Sequence, residues 1–276
     1  MKDFEQWIPV LRQIAMQAGY LVCDIRKGKL QVGTKSDGSC VTNADLESDQ
    51  LIRRHLQAAF PSIPIVSEES EVPQVDQTKP VFVVDPLDGT RDYVNGMAGF
   101  SINIGIVIDG FPVAGVIYVP LHERLYEATG NHFQAYDTNN GLMTKIACHD
   151  PERPARLTVV GSPFHRDILS SMEYNDMPVR YVSHGSALKF GMIAQGEAHM
   201  YVRPGTTMVW DTAAGQVMIE ARGGEVIDCQ TMSRLRYDLR QDCLANASFV
   251  AKGAKFTCEE LQPSPFVFMT KVGQQV

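Results

Sequence analysis

The apolar positions along this chain of 276 residues change period several times, and each change marks an element. Phe4, Ile8, Leu11, Ala15, Ala18, Val22 and Ile25 recur at three- and four-residue spacing, which predicts a helix over 4–25. A second helix is expected to start at Asn43, a fit N-cap, to carry Leu51, Ile52, Leu56 and Phe60, and to stop at Pro61. Two short apolar runs follow. Residues 63–66 lead into Ser67-Glu68-Glu69, and residues 81–84 lead into Asp85. Both predict buried strands that deliver carboxylates at their C-terminal ends. Residues 101–108 and 112–119 flank Asp109-Gly110, a strong hairpin signal, and 124–128 and 132–136 continue the meander. The first half is therefore expected to hold two helices and an antiparallel sheet.

The stretch 148–156 (CHDPERPAR) is polar and contains two prolines, and it predicts a boundary between subdomains 1–150 and 151–276. Beyond it the pattern alternates. Strands are expected over 157–160, 179–182 and 199–202. Helices are expected over 167–174, 188–195 and 211–221, the last closed by Gly223-Gly224. The fold class is thus α+β, with an N-terminal α+β half and a C-terminal α/β half.

Composition narrows the function. Hydrophobic residues make up 44% and charged residues 21%, ordinary for a soluble globular chain. The net charge is −7 and no Lys/Arg-rich run is present, which argues against a nucleic-acid polymer as partner. The longest charge-free stretch, 93–108, is broken by Asn and Gly and does not read as a membrane span. The six cysteines show no CxxC spacing, as expected of reduced thiols in a cytoplasmic protein. The N-terminus does not read as a signal peptide. No feature of the sequence fixes an oligomeric state.

The densest chemical signal is Val83-Val84-Asp85-Pro86-Leu87-Asp88-Gly89-Thr90. Asp85 ends a buried strand, Pro86 forces a turn, and Asp88 returns about one turn later to face the same point. The Leu87 carbonyl can point inward as well. Gly89 and Thr90 open the next helix, whose free N–H groups suit a phosphate. An ordinary Asx turn explains Asp88 but not Asp85. Glu68-Glu69 forms a second acidic group, Asp45 sits at the start of helix two, and Asp211 is expected to cap a helix whose first turn is Ala213-Ala214-Gly215. Capping accounts for Asp211 but not for the small residues behind it. Together these acids give Mg²⁺ the oxygen ligands it prefers. Dinucleotide, P-loop and nucleophile-elbow motifs are absent. The i, i+3 spacing of Asp85 and Asp88 disfavours a covalent aspartyl intermediate.

Glu68-Glu69, Asp85-Pro86-Leu87-Asp88-Gly89-Thr90 and Trp210-Asp211-Thr212-Ala213-Ala214-Gly215 appear in this order. In them the chain resembles the magnesium-dependent, lithium-sensitive phosphatase superfamily that includes inositol monophosphatase. Within it, Val41-Thr42-Asn43-Ala44-Asp45, Arg91-Asp92-Tyr93 and Gly185-Ser186-Ala187-Leu188-Lys189-Phe190 with Arg203 look most like the CysQ-type 3'(2'),5'-bisphosphate nucleotidases. The resemblance implies a layered α-β-α-β-α sandwich. It implies Glu68, Asp85, the Leu87 carbonyl, Asp88 and Asp211 as Mg²⁺ ligands, and Asp45, Glu68 and Thr90 as the water-activating set. Leu87, Asp88, Gly89, Thr90 and Asp211 would line the substrate's reacting phosphate, and Ser186, Lys189 and Arg203 its second phosphate and sugar. The implied activity is Mg²⁺-dependent removal of the 3'-phosphate from adenosine 3',5'-bisphosphate, a step linked to sulfur metabolism. The implied location is cytoplasmic, with peripheral association at the inner membrane left open. The same chemistry on inositol monophosphate, and a metal-regulated nucleotide-binding protein without turnover, stand as alternatives.

Overall fold

The computed structural model describes residues 4–149, 156–162, 169, 173–174, 177–257 and 261–262. A 3-10 turn at Phe4–Gln6 precedes α1 (Ile8–Lys27). The periodic stretch is therefore not one helix. It begins regular winding beside Pro9, where proline in the first turn gives up no hydrogen bond. A two-stranded ribbon, β1 (Val32–Thr34) with β2 (Cys40–Thr42), follows and then α2 (Asn43–Ala59). The N-cap is Thr42, not Asn43: its side chain accepts from Ala44 N–H, while Asn43 Oδ1 accepts from Gln31 N–H.

Seven strands form the first large sheet: β3 (Ile65–Ser67), β4 (Val81–Asp88), β5 (Ser101–Ile108), β6 (Phe111–Val119), β7 (Arg124–Thr129), β8 (His132–Asp137) and β9 (Thr144–Ile146). They lie in chain order, with a short helix α3 (Thr90–Val94) between β4 and β5. The sheet is antiparallel except that β3 runs parallel to β4, so the expectation of a wholly antiparallel sheet fails at its first pair. The chain passes from β3 to β4 through 68–80, long enough to return to the same edge.

Both faces of this sheet are covered, which is why β5 lacks alternation: every residue but the last is buried. Ile102, Ile104 and Ile106 pack with Phe82 and Val84 against α1 and α2. Each such side chain contributes about 1.5–3 kcal/mol by leaving water. On the opposite face Val81, Val83, Val107, Ile117 and Val119 meet α4 (Leu188–Gln195) and α5 (Val209–Ala221). Gly105 and Gly115 stand opposite each other on β5 and β6, and together they make a shallow seat for α5. A Cβ at Gly115 would lie 2.8 Å from Ala214 Cα. The small residues after Asp211 are thus explained by close helix–sheet approach.

Beyond α4 and α5 lies a second, six-stranded sheet whose strands lie side by side in the order 180–183, 158–161, 200–203, 249–252, 225–228 and 233–234. In chain order the remaining strands are β10 (Thr158–Gly161), β11 (Glu173–Tyr174), β12 (Met177–Pro178), β13 (Arg180–Ser183), β14 (Met200–Arg203), β15 (Thr207–Met208), β16 (Glu225–Asp228), β17 (Ser233–Arg234), β18 (Ala245–Asn246), β19 (Phe249–Lys252) and β20 (Leu261–Gln262). Tyr201, Phe249 and Val226 face the shared core with the helices. Val159, Met200 and Val250 face outward, under Leu169, Tyr174 and Phe256. The described residues thus give the layers α-β-α-β of the expected sandwich. The helix expected over 167–174 fails at its end, where Glu173–Tyr174 pairs as a strand with β12 and β20. Residues 167–168 and 170–172 lie outside the described residues, as does most of the expected boundary at 148–156.

Candidate active site

The end of β4 carries the first two acids. Asp85 pairs with Asn103, and the register then slips so that Asp88 meets Ser101. This irregularity takes up Pro86 and Leu87 and turns both carboxylates to one side. Asp85 Oδ1 accepts from Leu87 N–H at 3.0 Å, closing the Asx turn. Ser48, fully buried on α2, donates to the Pro86 carbonyl at 2.7 Å and pins the turn from behind. Asp88 lies within reach of Asn103 Nδ2 at 3.3 Å and Ser101 Oγ at 3.4 Å. Ser48, Ser101 and Asn103 escaped the sequence reading. The signal for the last two was a pair of polar residues two apart at the start of an otherwise apolar strand.

Asp211 comes from the other half. It is the third residue of α5 rather than its cap, and its Oδ2 accepts from Met208 N–H at 2.7 Å. The seat at Gly105 and Gly115 fixes how closely this helix end approaches β4. One carboxylate oxygen each of Asp85, Asp88 and Asp211 lies within 4.8 Å of the others. Three buried or half-buried acids so close repel one another, and burial penalises their charge. Burial, then Glu68, Asp88 and Asp211, pushes Asp85 well above the usual carboxylate range. Burial, then Asp88, pushes Asp211 up to about 7. Burial raises Asp88 too, against the opposing charge of Lys189. An all-oxygen donor set in this state fits a hard divalent cation, which would relieve the repulsion that no other group relieves fully.

Glu68 joins this group electrostatically: burial raises it, with Asp88 and Asp45 adding to the effect and Lys35 opposing. Its Oε1 accepts from Lys35 Nζ at 2.7 Å, and Glu69 Oε1 accepts from the same ammonium at 2.6 Å. Lys35, on the β1–β2 ribbon, was not anticipated.

Asp45 is buried at the N-terminal turn of α2. Its Oδ2 accepts from Thr42 N–H at 2.8 Å and from Thr42 Oγ1 at 2.6 Å, so the capping role is real. Its Oδ1 accepts from Thr90 Oγ1 at 2.9 Å, so the two carboxylate oxygens serve different partners. Thr90 Oγ1 also lies 3.2 Å from the Leu87 carbonyl. The hydroxyl has one proton, and the carboxylate is the stronger acceptor. That leaves the Leu87 oxygen available to a cation. Gly89, at φ 91°, is the left-handed residue that lets α3 start here.

The distal candidates divide. Lys189 is buried, not solvated. Its Nζ donates to the His184 carbonyl at 3.2 Å and to the Ser186 carbonyl, and it sits 5.0 Å from the centre of the Tyr201 ring. Burial, opposed by Asp88, lowers it to about 8. It lies beneath the 184–187 turn, where Ser186 has φ 50°. Arg203, half-buried at the end of β14, donates Nη2 to the Thr206 carbonyl at 3.1 Å, and its Nε is buried without a hydrogen-bond partner. The structure therefore brings Asp85, Asp88 and Asp211 together, leaves Glu68 paired with Lys35 and coupled to them only electrostatically, and ties Thr90 to Asp45. It sets Lys189 and Arg203 near Asp211, on the second half.

Comparison with known proteins agrees with this geometry. Residues 3–263 match the inositol monophosphatase family. The chain belongs to this family. Among its relatives, the 3'(2'),5'-bisphosphate nucleotidase CysQ of Escherichia coli (strain K12) is 34% identical over 226 residues, covering 79% of this chain and 89% of that protein. The enzyme of the same name from Haemophilus influenzae is 32% identical over 247 residues, covering 87% and 90%. The solved structure of CysQ from Bacteroides thetaiotaomicron, a bacterial member of the family, superposes with a TM-score of 0.74 at 26% identity, over 92% of this chain and 99% of that one. A Thermotoga maritima inositol monophosphatase shares the fold, with a TM-score of 0.72 at 20% identity. The family is metal-dependent, and the acidic triad is close enough together to bind a metal ion. No helix among the described residues is long and apolar enough to cross a membrane.

Proposed function

We propose that this chain is a Mg²⁺-dependent phosphomonoesterase that removes the 3'-phosphate of adenosine 3',5'-bisphosphate, giving AMP and phosphate. The observation that carries the reading is the convergence of Asp85, Asp88 and Asp211 from both halves of the molecule beside a Thr90–Asp45 pair. The CysQ relatives, similar over most of the chain, favour the nucleotide over a simple sugar phosphate.

In this reading Glu68, Asp85, the Leu87 carbonyl, Asp88 and Asp211 hold Mg²⁺. Held there, the cation would supply Lewis acidity toward the attacking water and positive charge for the leaving oxygen. The Thr90 proton points at Asp45, so Thr90 Oγ1 presents a lone pair to the water; as it takes the water's proton it passes its own to the Asp45 carboxylate. Glu68 orients the same water. Gly89, Thr90 and the backbone after them cradle the reacting phosphate. Attack is in line, without a covalent enzyme intermediate. Ser186 and Arg203 meet the sugar and second phosphate, and Lys189 supports them from below. The second half, roughly 151–276, thus supplies selectivity together with the metal ligand Asp211, and the first half, 1–150, supplies the rest of the chemistry. Inhibition by Li⁺ but not by Na⁺ at equal ionic strength belongs to the same reading.

The test is phosphate release from adenosine 3',5'-bisphosphate and from inositol 1-phosphate, each scored by kcat/KM with and without Mg²⁺. The nucleotide is expected to be preferred. Arg203→Ala is expected to lower its kcat/KM by about 10- to 150-fold while leaving inositol 1-phosphate nearly untouched. Preference for inositol 1-phosphate, or equal loss on both substrates, would replace the nucleotidase reading with the inositol phosphatase one.

A further inference from the structure

Glu68 and Glu69 are the two central residues of a four-residue turn, 67–70, at the end of β3. Ser70 N–H donates to the Ser67 carbonyl across it at 3.4 Å. Both corner residues are serines, and both aim at one group on α2. Ser67 Oγ donates to Asp49 Oδ1 at 2.5 Å, and Ser70 Oγ donates to Asp49 Oδ2 at 2.7 Å. Ser67 is 1% exposed and Asp49 is 4% exposed. Arg53, one turn further along α2, donates Nη1 to Ser70 Oγ at 2.7 Å and stands 3.7 Å from Asp49 itself. Asp49 belongs to no motif read from the sequence.

The network has one direction. Each serine hydroxyl has a single proton and spends it on Asp49, and Ser70 accepts from Arg53 in return. A carboxylate can accept at both oxygens at once, and an asparagine cannot. An ion pair with Arg53 would by itself explain a buried acid, but the closest contacts of Asp49 are the hydroxyls at the two corners of the turn. Asp45, Ser48 and Asp49 lie on one face of α2 at helical spacing. Asp45 holds Thr90, Ser48 holds the Pro86 carbonyl, and Asp49 holds the turn that carries Glu68. From the other side Glu68 N–H donates to the Val84 carbonyl at 3.2 Å, one residue before Asp85. Where the Glu68 carboxylate stands relative to Asp85 and Asp88 thus depends on the turn beneath it.

We propose that Asp49 is a positioning residue: it locks the 67–70 turn through both its corners and so fixes the point from which Glu68 engages the cation and the attacking water. Arg53 acts one step further out, by orienting the Ser70 hydroxyl. This inference rests on the metal-dependent reading given above. It makes α2 the common backing of the three first-half segments of the site, with one side chain assigned to each.

The experiment is a double-mutant cycle between Asp49→Asn and Glu68→Gln. It is read by calorimetric Mg²⁺ affinity of the substrate-free protein and by kcat for phosphate release from adenosine 3',5'-bisphosphate at saturating Mg²⁺, with folding checked by circular dichroism. The asparagine has one acceptor oxygen and an NH₂, so one serine loses its acceptor and one corner of the turn is released. Asp49→Asn alone is expected to weaken Mg²⁺ binding and to lower kcat, each by about 10- to 100-fold. Beside Glu68→Gln the same change is expected to cost less than about threefold in either readout, because the group it positions is already gone. Losses of equal size in the two backgrounds overturn the proposal, since they mark Asp49 as structural and nothing more. An Asp49→Asn single variant within about threefold of wild type in both readouts overturns it as well. Should Asp49→Asn not fold, Ser70→Ala goes through the same cycle: it keeps the carboxylate and one corner, and is expected to lose about 3- to 10-fold on its own and almost nothing beside Glu68→Gln. Equal losses there overturn the proposal in the same way. A wild-type protein that neither binds Mg²⁺ nor releases phosphate would instead sink the functional reading itself, so the two failures are distinguishable.

Discussion

Asp45→Asn separates two roles that one carboxylate combines. In the native site Oδ2 takes both donors of Thr42 and Oδ1 takes the Thr90 hydroxyl. An asparagine has one acceptor oxygen and one NH₂. With its oxygen on Thr42 the helix cap survives, weakened by about 1 kcal/mol because a neutral acceptor replaces a charged one. Its NH₂ then faces Thr90 Oγ1 and donates to it. The hydroxyl must accept there, its proton turns away, and its lone pair is no longer free for the attacking water. Loss of a positioned acid–base group lowers the rate by about 10²–10⁴, or roughly 2.7–5.4 kcal/mol of barrier. The assay is initial-rate phosphate release at saturating Mg²⁺, with Mg²⁺ affinity measured separately by calorimetry. The expected result is a fall in kcat of at least a hundredfold, with KM and Mg²⁺ affinity within a few-fold of wild type. A folded variant whose kcat stays within threefold refutes the reasoning. If the variant loses its fold, Thr90→Val and Thr90→Ser decide: the valine is expected to reproduce the loss and the serine to keep most activity.

Three further outcomes follow from the same geometry. Mg²⁺ binding to the folded state is expected to raise the wild-type Tm, and Asp88→Asn should abolish most of that rise and nearly all activity; wild-type turnover at equal Mg²⁺ would remove Asp88 from the site. In metal-free protein Asp211 is pushed up to about 7, and so is Glu69, both chiefly by burial, while the unfolded chain releases these protons near 4. The folded state therefore holds extra protons between about pH 4 and 7, so this stability is full below pH 4 and lost as pH rises to 7. Burial lowers His122, His184 and His199, which act in the opposite sense, so the cluster is read against Asp211→Asn. From pH 5 to pH 7 metal-free wild type should lose Tm relative to that variant and Mg²⁺ should flatten the difference, whereas an identical pH dependence in the two contradicts the acidic cluster. Gly115→Ala places a methyl group 2.8 Å from Ala214 Cα and should cost about 1–3 kcal/mol by overpacking. Because Asp211 sits one turn from Ala214, Mg²⁺ affinity should weaken together with Tm; a lower Tm at unchanged affinity would uncouple the seat from the site.

Much of the molecule was legible before its structure. Apolar periods located α1, α2, the strands around Asp109-Gly110 and the alternation in the second half, because those periods record which side of each element meets a core. The spacing of Asp85, Asp88 and Thr90 was equally readable, since a strand end and a turn are local events. The identity of the N-cap was misread by one residue: Thr42 and Asn43 are both good caps, and only the path of the β1–β2 ribbon chooses between them. The parallel pairing of β3 with β4 was also hidden, because buried strands of either direction show the same apolar run.

Tertiary structure alone decided the rest. The resemblance of the ordered motifs implied that Asp211 joins Asp85 and Asp88, but no local pattern shows how they meet. That meeting depends on Gly105 and Gly115 facing each other on adjacent strands and admitting the Ala213-Ala214 face of α5. The resemblance set Lys189 among the contacts to the substrate's second phosphate, and folding buries its ammonium on backbone carbonyls instead. Lys35 had no motif at all, and its place between Glu68 and Glu69 comes from the ribbon's path over the site. The physical reason is common to these cases. Local pattern records how each segment meets water and its near neighbours in the chain, whereas the charges that govern one another here are brought together only by packing across layers.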